Sequence, residues 1–418
     1  MSKRVIMAAF HFPPSSVSSG HLRLLAFAKY LPELGWDPVV LCGTKGAYES
    51  VDPNSVRSIP EGCHVHRVLG LDAKKHLGVF GKYPSFLARP DRWASWWPGA
   101  VMLGLRLIKR YQVCAIWSTY PVMTSHCVAY TLSRLTGLPW IADFRDPVAA
   151  SVAHSDERTA RSQLRWEHRV VSHASRSVFT TPGAMRLCAE HFPEAQDRLR
   201  IVENGFDEAA FGDLPQPLRV TGDPLVLLHS GLLYPEGRSP IPFFTALARL
   251  KSAGSIGSDT VRVVLRASGS ESAYAREIQR LGIEDMVTLA PLVSNREALV
   301  EQAGADGLLL FQGEAFDRQI PAKAYEYLRI GRPIFALVGE RGDTANLLRN
   351  TGGAKLVSLD DPDAIEAGLR EFIMTLRAGN APKVSSGAIA RYSRKEGTAV
   401  LARLLDEVAA KGTRAVWA

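Results

Sequence analysis

Ile320-Pro-Ala-Lys-Ala-Tyr-Glu-Tyr-Leu-Arg-Ile-Gly-Arg-Pro-Ile334 reads as a short helix caught between two apolar strands. Pro321 suits the first helical turn, where its missing N–H costs nothing, and Gly331 followed by Pro333 ends the helix and starts the next strand. Lys323 and Glu326 then share one face, a turn apart. Where a strand of an α/β sheet runs into a helix, free N–H groups and the helix dipole favour phosphate, which Lys323 would reinforce. A carboxylate one turn deeper can accept both hydroxyls of a ribose. The pattern therefore suits a nucleotide; the same spacing also suits a surface ion pair.

Outward from this stretch, apolar strands alternate with helical periods, the rhythm of a parallel sheet. The first series predicts strands at Arg4 to Phe10, Asp37 to Gly43, His64 to Leu69, Val113 to Thr119, Pro139 to Phe144, Ser177 to Pro182 and Arg200 to Gly205. Helices are predicted near 20–34, 97–111, 122–136, 157–174 and 183–192. Residues 206–222, with Gly212, Pro215, Pro217 and Gly222, read as a linker. The second series predicts strands at Leu225 to Gly231, Val261 to Ser268, Met286 to Pro291, Gly307 to Gly313, Arg332 to Val338 and Ala354 to Ser358. The organisation predicted is 1–205, a first doubly wound domain; 206–222, the linker; 223–385, a second; and 386–418, a C-terminal helix crossing back to the first. Two open α/β domains facing each other across a cleft join two half-sites at the carboxyl ends of their strands.

The composition excludes other classes. With 418 residues the chain exceeds one ordinary core. Hydrophobic residues at 46% and charged residues at 22% place it among globular chains. No apolar run approaches the ~20 residues of a membrane span, and Val5 to Phe10 is too short for a signal-peptide core. The cysteines at 42, 63, 114, 127 and 188 have no CxxC spacing, so a cytoplasmic setting fits and neither a disulfide framework nor structural zinc is indicated. The net charge of +8 suits an anionic substrate or headgroup. No nucleic-acid-binding pattern accompanies it.

His11-Phe-Pro-Pro14, Lys29-Tyr-Leu-Pro-Glu-Leu-Gly-Trp36, Ile141-Ala-Asp-Phe-Arg-Asp-Pro147, Glu203-Asn-Gly-Phe-Asp207 and Pro321 to Leu328 through Arg332-Pro333, in that order, resemble the GT-B-fold, retaining glycosyltransferases of family 4. The resemblance implies a C-terminal domain that binds a nucleotide-activated sugar, an N-terminal domain that takes the acceptor, and no divalent metal. It makes His126 a polar contact to the transferred sugar or acceptor hydroxyl; apart from the resemblance, a lone histidine on a helix reads as structural. It sets Gly231 and Arg238, in Ser230-Gly-Leu-Leu-Tyr-Pro-Glu-Gly-Arg238, against the donor diphosphate. Where relatives carry an arginine just after this glycine, the chain has Leu232, and Lys323 is the candidate substitute. Glu326 matches the second glutamate of the family's acid pair; the place of the first holds Arg318, which Glu314 or Asp317 would have to replace from another loop path.

Further candidates come from position along the chain. Phe12 to His21 opens the first helix, so Ser15, Ser16 and Ser18 can offer backbone N–H groups to a phosphate or sugar, although relatives carry glycines where Ser15 and Ser16 stand; as a helix N-cap loop the stretch is equally well explained. Asp143, at the carboxyl end of an apolar strand, is a candidate contact to sugar or acceptor with Arg145 behind it, or part of a self-neutralising cluster. Arg266 is a candidate for the base or phosphate pocket. Asp361-Pro-Asp363 reads as a helix cap. Trp93, Trp96 and Trp97 among the basic residues of 74–110 suggest peripheral contact with the inner face of a membrane, or ordinary packing.

The expected activity is transfer of a sugar, with retention, from a UDP- or GDP-linked donor to a saccharide or lipid-linked hydroxyl acceptor in cell-surface polysaccharide or glycolipid assembly, without a further cofactor. The alternatives are a nucleotide-sugar 2-epimerase and a nucleotide-sugar-binding subunit whose catalysis has decayed.

Overall fold

A computed structural model of the protein describes residues 2–16, 20–78, 84–148, 156–212, 214 and 224–412. Among these the chain divides into two compact units. The first runs to Asn204 and takes in the stretch from Arg394; the second runs from Gly205 to Ser393.

The first unit holds a parallel sheet of strands β1 (Lys3–Ala8), β2 (Trp36–Gly43), β3 (His64–Val68), β4 (Ala115–Thr119), β5 (Trp140–Arg145), β6 (Arg176–Phe179) and β7 (Leu199–Ile201). Their order is β3-β2-β1-β4-β5-β6-β7. Its longer helices are α1 (Gly20–Tyr30), α2 (Trp96–Tyr111), α3 (Met123–Thr136), α4 (Glu157–His173) and α5 (Pro182–His191). Successive side chains of a strand point to opposite faces, and β1 is buried on both. Ile6 and Ala8 join a core with Trp96, Leu132 and Trp140. Val5 and Met7 join another with Phe27 and Trp117, which Leu401, Leu405 and Val408 of the C-terminal helix complete.

The second unit repeats the plan with β8 (Leu225–Ser230), β9 (Val261–Arg266), β10 (Val287–Ala290), β11 (Gly307–Gln312), β12 (Ile334–Val338) and β13 (Ala354–Val357). Here the order is β10-β9-β8-β11-β12-β13, again all parallel. Its longer helices are α6 (Ile241–Ser252), α7 (Glu271–Arg280), α8 (Asn295–Gly304), α9 (Ala322–Ile330), α10 (Asp343–Thr351) and α11 (Pro362–Arg377), and Arg394–Gly412 is α12. Most of the linker stretch at 206–222 lies outside the described residues. Of its described part, Phe206 and Phe211 pack in the core of the second unit, and Glu208 pairs with Arg329.

In each sheet the winding reverses once, between β1 and β4 in the first unit and between β8 and β11 in the second. Open α/β sheets bind ligands at the carboxyl ends of strands beside such a reversal. The residues after β8 and β11 are therefore the ones to follow in the second unit.

The stretch from Ile320 to Ile334 folds around α9. Pro321 stands at the N-cap rather than inside the first turn, with ψ of 142°, and Gly331 closes the helix with φ of 78°. That positive φ suits glycine, which has no β-carbon to crowd the turn.

Candidate functional site

Strand β8 ends in Leu228-His229-Ser230, and Gly231 turns the chain away with φ of 109°. Side chains of L residues rarely adopt that conformation. A β-carbon at Gly231 would also lie 3.1 Å from Lys323 Nζ. Bare backbone thus meets the Lys323 amine at the turn.

Helix α9 supplies the other wall. The backbone N–H of Ser230 donates to the buried Tyr327 hydroxyl at 3.0 Å, bracing the β8 turn against the helix. Lys323 Nζ lies 3.0 Å from His229 Nε2. The His229 Nδ1 lies 2.8 Å from the Leu309 carbonyl of β11 and Nε2 lies 3.0 Å from the Gly231 carbonyl; both carbonyls can only accept, and the Lys323 amine beside Nε2 favours the tautomer with the proton on Nδ1. Burial and the neighbouring Lys323 cation hold His229 well below the usual imidazole range, so it is neutral.

Arg238, further along the same loop, is aimed by a hydrogen bond from Nε to Gln312 Oε1 at 2.8 Å. Its guanidinium lies over Phe316 at 4.5 Å and Tyr234 at 5.4 Å, stacking that suits arginine better than lysine. Burial, then the Arg238 cation, bring Lys323 down to about 7, against the pull of Glu326. Gly231, Arg238, Lys323 and Glu326 therefore converge on the ends of β8 and β11. Two cations beside a glycine turn at the sheet's reversal can take a diphosphate, and the carboxylate a turn along α9 can take a neighbouring diol.

Other expectations for this unit need correction. Arg266 is occupied: Nε and Nη2 fork onto Glu301 at 2.9 and 2.6 Å, and Nη1 donates to the Pro291 carbonyl at 2.8 Å. It braces β9 and is not free for a base or phosphate. Asp317 sits against Gly339 and Gly342, where a β-carbon would collide with its carboxylate, so it faces the turn before α10. Asp361 is a cap, as read, accepting from the N–H groups of Asp363 and Ala364.

In the first unit three candidates turn inward. His126 is 0% exposed, among Phe144, Trp140 and Tyr120. Its Nδ1 lies 2.7 Å from Ser118 Oγ, which also accepts from Trp140 Nε1 at 2.8 Å, and burial lowers it to about 3. It is a neutral core histidine, and the expected contact with sugar or acceptor is withdrawn. Asp143 is likewise 0% exposed. It accepts from Arg23 Nε at 2.8 Å, while Arg23 also donates to the carbonyls of Val202 and Glu203. That pair ties β5 to the end of β7 and is not a cleft contact. Ser15 is buried at 1% with Oγ at 3.1 Å from His11 Nδ1, and its backbone N–H donates to the Phe12 carbonyl at 3.1 Å, so the expected N–H is not offered to a ligand.

Ser16 is exposed and bonded through Oγ to Ser50 at 2.7 Å, while its backbone N–H, expected to face a ligand, donates to the Ser50 carbonyl at 3.1 Å. Ser18 lies outside the described residues. Arg145 is partly buried and donates from Nη1 to the Tyr120 carbonyl at 3.3 Å. It holds φ of 61°, and its guanidinium rests where a β-carbon on Gly20 would stand, within the field felt by His11, which burial, Arg92, His21 and Arg145 together lower to about 4.

The tryptophans of this stretch pack on the core. Trp96 is 0% exposed, Trp97 donates to Thr131 Oγ1 at 3.0 Å, and Trp93 packs on Phe10 and His11 under Arg92. Arg92 itself is paired with Glu49 and Asp72. Among the described residues no helix is long and apolar enough to cross a membrane, and no cluster of three or more His, Cys, Asp or Glu suits a metal.

Residues 20–205 match the family profile described as Glycosyl transferase 4-like domain. That segment is similar to a glycosyl transferase 4-like domain. The whole chain is similar in structure to sucrose-phosphate synthase from Thermosynechococcus elongatus, at TM-score 0.61 and 13% identity over 99% of this chain and 98% of that one. It is similar to HepE of Anabaena in complex with UDP and glucose, at TM-score 0.58 and 13% identity over 99% of both. The α,α-trehalose 6-phosphate synthase from Burkholderia multivorans aligns at TM-score 0.64 and 14% identity, over 100% of this chain and 99% of that one. At such identities the likeness speaks for the fold, and the GT-B reading of the sequence holds. No curated protein matches the chain at a significant level.

Beside the 4-like domain, the second unit holds residues that the motifs did not single out. His229 and Gln312 stand near the last positions of two otherwise apolar strands, Leu-Val-Leu-Leu-His-Ser and Gly-Leu-Leu-Leu-Phe-Gln. A polar side chain at the carboxyl end of a buried strand is the signal that would have found them.

Proposed function

We propose that the chain transfers a sugar from a nucleoside diphosphate donor to a hydroxyl acceptor with retention at the anomeric carbon. The carrying observation is the convergence of Gly231, Arg238, Lys323 and Glu326 at the reversal of the second unit's sheet. The 4-like domain and the GT-B fold support the same reading.

In this reading Glu326 accepts the ribose hydroxyls, and the Gly231 turn lets the diphosphate approach the backbone. Arg238 and Lys323 neutralise the charge that builds on the diphosphate as the glycosidic bond breaks. Fixed cations aimed at developing charge are commonly the largest contribution to such a barrier, and they serve here with no metal invoked. The 4-like domain takes the acceptor, with Arg145 and Ser16 as its candidate contacts. The donor is UDP- or GDP-linked; HepE, which shares the fold, is described in complex with UDP and glucose. The product is a cell-surface polysaccharide or glycolipid, made on the cytoplasmic side.

The test is incubation of the protein with UDP- and GDP-sugars and a panel of saccharide and lipid-linked acceptors, with the product's anomeric configuration read by NMR. A glycosylated product of the donor's own configuration is expected. An inverted product would remove retention, epimerised donor formed without acceptor would make the chain an epimerase, and binding without turnover on any acceptor would make it a binding subunit.

A further inference from the structure

We propose that His229 is a positioning residue for the donor's diphosphate, its Nε2 holding the Lys323 amine beside the Gly231 turn. The inference rests on the donor-site reading above and adds a residue to it.

Leu232 stands where an arginine is expected next to the glycine, so Lys323, on α9, has to supply the missing charge from the opposite wall. A lysine has four rotatable bonds and a point charge, and it must be held to serve as a fixed cation. His229 does the holding. It is 1% exposed, its ring packs edge-on against Phe311 at 5.1 Å, and its Nδ1–H is committed to the Leu309 carbonyl. Nε2 is thereby left to accept from Lys323 Nζ, 3.0 Å away.

Nε2 also lies 3.0 Å from the Gly231 carbonyl oxygen. Two acceptors that close need a donor beside them, and the Lys323 amine is that donor for Nε2. The charged groups acting on Lys323 are Arg238 from the β8 loop and Glu326 from its own helix, while His229 from β8 is neutral. A diphosphate arriving at Gly231 adds negative charge and favours the ammonium form. Where free Lys323 is deprotonated, it takes one proton from the buffer as the diphosphate binds.

The test is calorimetric titration of UDP, GDP, uridine and guanosine into the wild-type protein and into His229→Leu, His229→Gln, Lys323→Ala and the double variant His229→Gln/Lys323→Ala. His229→Leu should weaken the diphosphate that binds by about tenfold and leave its nucleoside unchanged. His229→Gln, whose Oε1 reaches the Nε2 position, should recover most of the loss. With Lys323→Ala in place, the glutamine substitution should add nothing, because the two side chains act as one unit. Wild-type affinity in His229→Leu, or equal losses of diphosphate and nucleoside, would overturn the inference while leaving the donor site standing. If His229→Leu does not fold, additive losses in His229→Gln and Lys323→Ala overturn it instead. A wild-type protein that binds neither UDP nor GDP removes the donor-site reading, and the inference with it.

Discussion

Arg238 Nε donates to Gln312 Oε1 at 2.8 Å, so the end of β11 aims a guanidinium carried on the loop after β8. The pair spans the reversal of the sheet, the place where open α/β sheets bind ligands. Gln312 is itself held, donating from Nε2 to the carbonyls of Phe316 and Gln319.

Arg238→Ala should weaken nucleoside diphosphate binding by roughly tenfold or more and nucleoside binding little, since a guanidinium on phosphate is a charge-assisted contact. Gln312→Leu should act in the same direction and less strongly, because the cation survives and loses its aim. Titrations of both variants check this, and equal losses for nucleoside and diphosphate would take Arg238 off the phosphate.

Glu326→Ala should abolish transfer and leave the thermal midpoint near that of the wild type, because Glu326 is only partly buried. A 2′-deoxy donor should lose in the wild type much of what the variant loses. Undiminished transfer by Glu326→Ala would end the ribose assignment.

Diphosphate binding should depend on pH through Lys323, whose free-state value is lowered to about 7 by burial and Arg238. Bound phosphate favours the ammonium form, so affinity is full below that value. It should fall by about tenfold per pH unit above it, one proton being taken up. Titrations from pH 7.5 to 9 in buffers of differing ionisation enthalpy measure the uptake, and a flat profile would contradict it.

Glu167 predicts a pH effect on stability in the first unit. Burial raises its carboxyl from 4.5 to about 7, against a backbone N–H from Val148. The folded state therefore holds a proton that the unfolded chain releases, so stability declines as pH rises from the unfolded value through the folded one. The loss above pH 7 is about 3 kcal/mol by the size of the shift. Glu167→Gln should flatten the decline in denaturant melts between pH 5 and 8 and leave the protein more stable at pH 8; an unchanged slope would remove Glu167 as the cause.

Asp143→Ala should destabilise the protein by about 3–5 kcal/mol, the usual result of stripping a buried charge of its partner, because Arg23 would keep its charge with only carbonyl and amide acceptors. Chemical denaturation measures it. A fully stable Asp143→Ala protein with impaired transfer would restore Asp143 to the substrate.

Fold was legible in the sequence because apolar runs separated by helical periods leave few arrangements other than parallel sheets. Strand ends were less so. Ser177 to Pro182 was expected to be extended, yet β6 stops at Phe179 because Thr181 caps α5, accepting from the N–H of Ala184. In the second unit the meeting of Gly231, Arg238, Lys323 and Glu326 was legible because they lie in two short motifs, one after β8 and one in α9. In the first it was not: His126 sits at a strand-to-helix junction, where a rim position looks natural, but its helix turns that face onto Trp140 and Phe144. Asp143 meets Arg23, a residue far away in sequence that local spacing cannot pair with it. His229 escaped notice because a lone histidine announces nothing until α9 brings Lys323 to it.

The central claim is that the second unit grips a nucleoside diphosphate through Gly231, Arg238, Lys323 and Glu326. Its most direct test is calorimetric titration of UDP and GDP into the wild-type protein and into Arg238→Ala/Lys323→Ala. One of the two should bind the wild type with a stoichiometry of one and lose at least about a hundredfold in the double variant, as two charge-assisted contacts at ~1.4 kcal/mol each would give. Equal affinity in wild type and double variant would contradict the account.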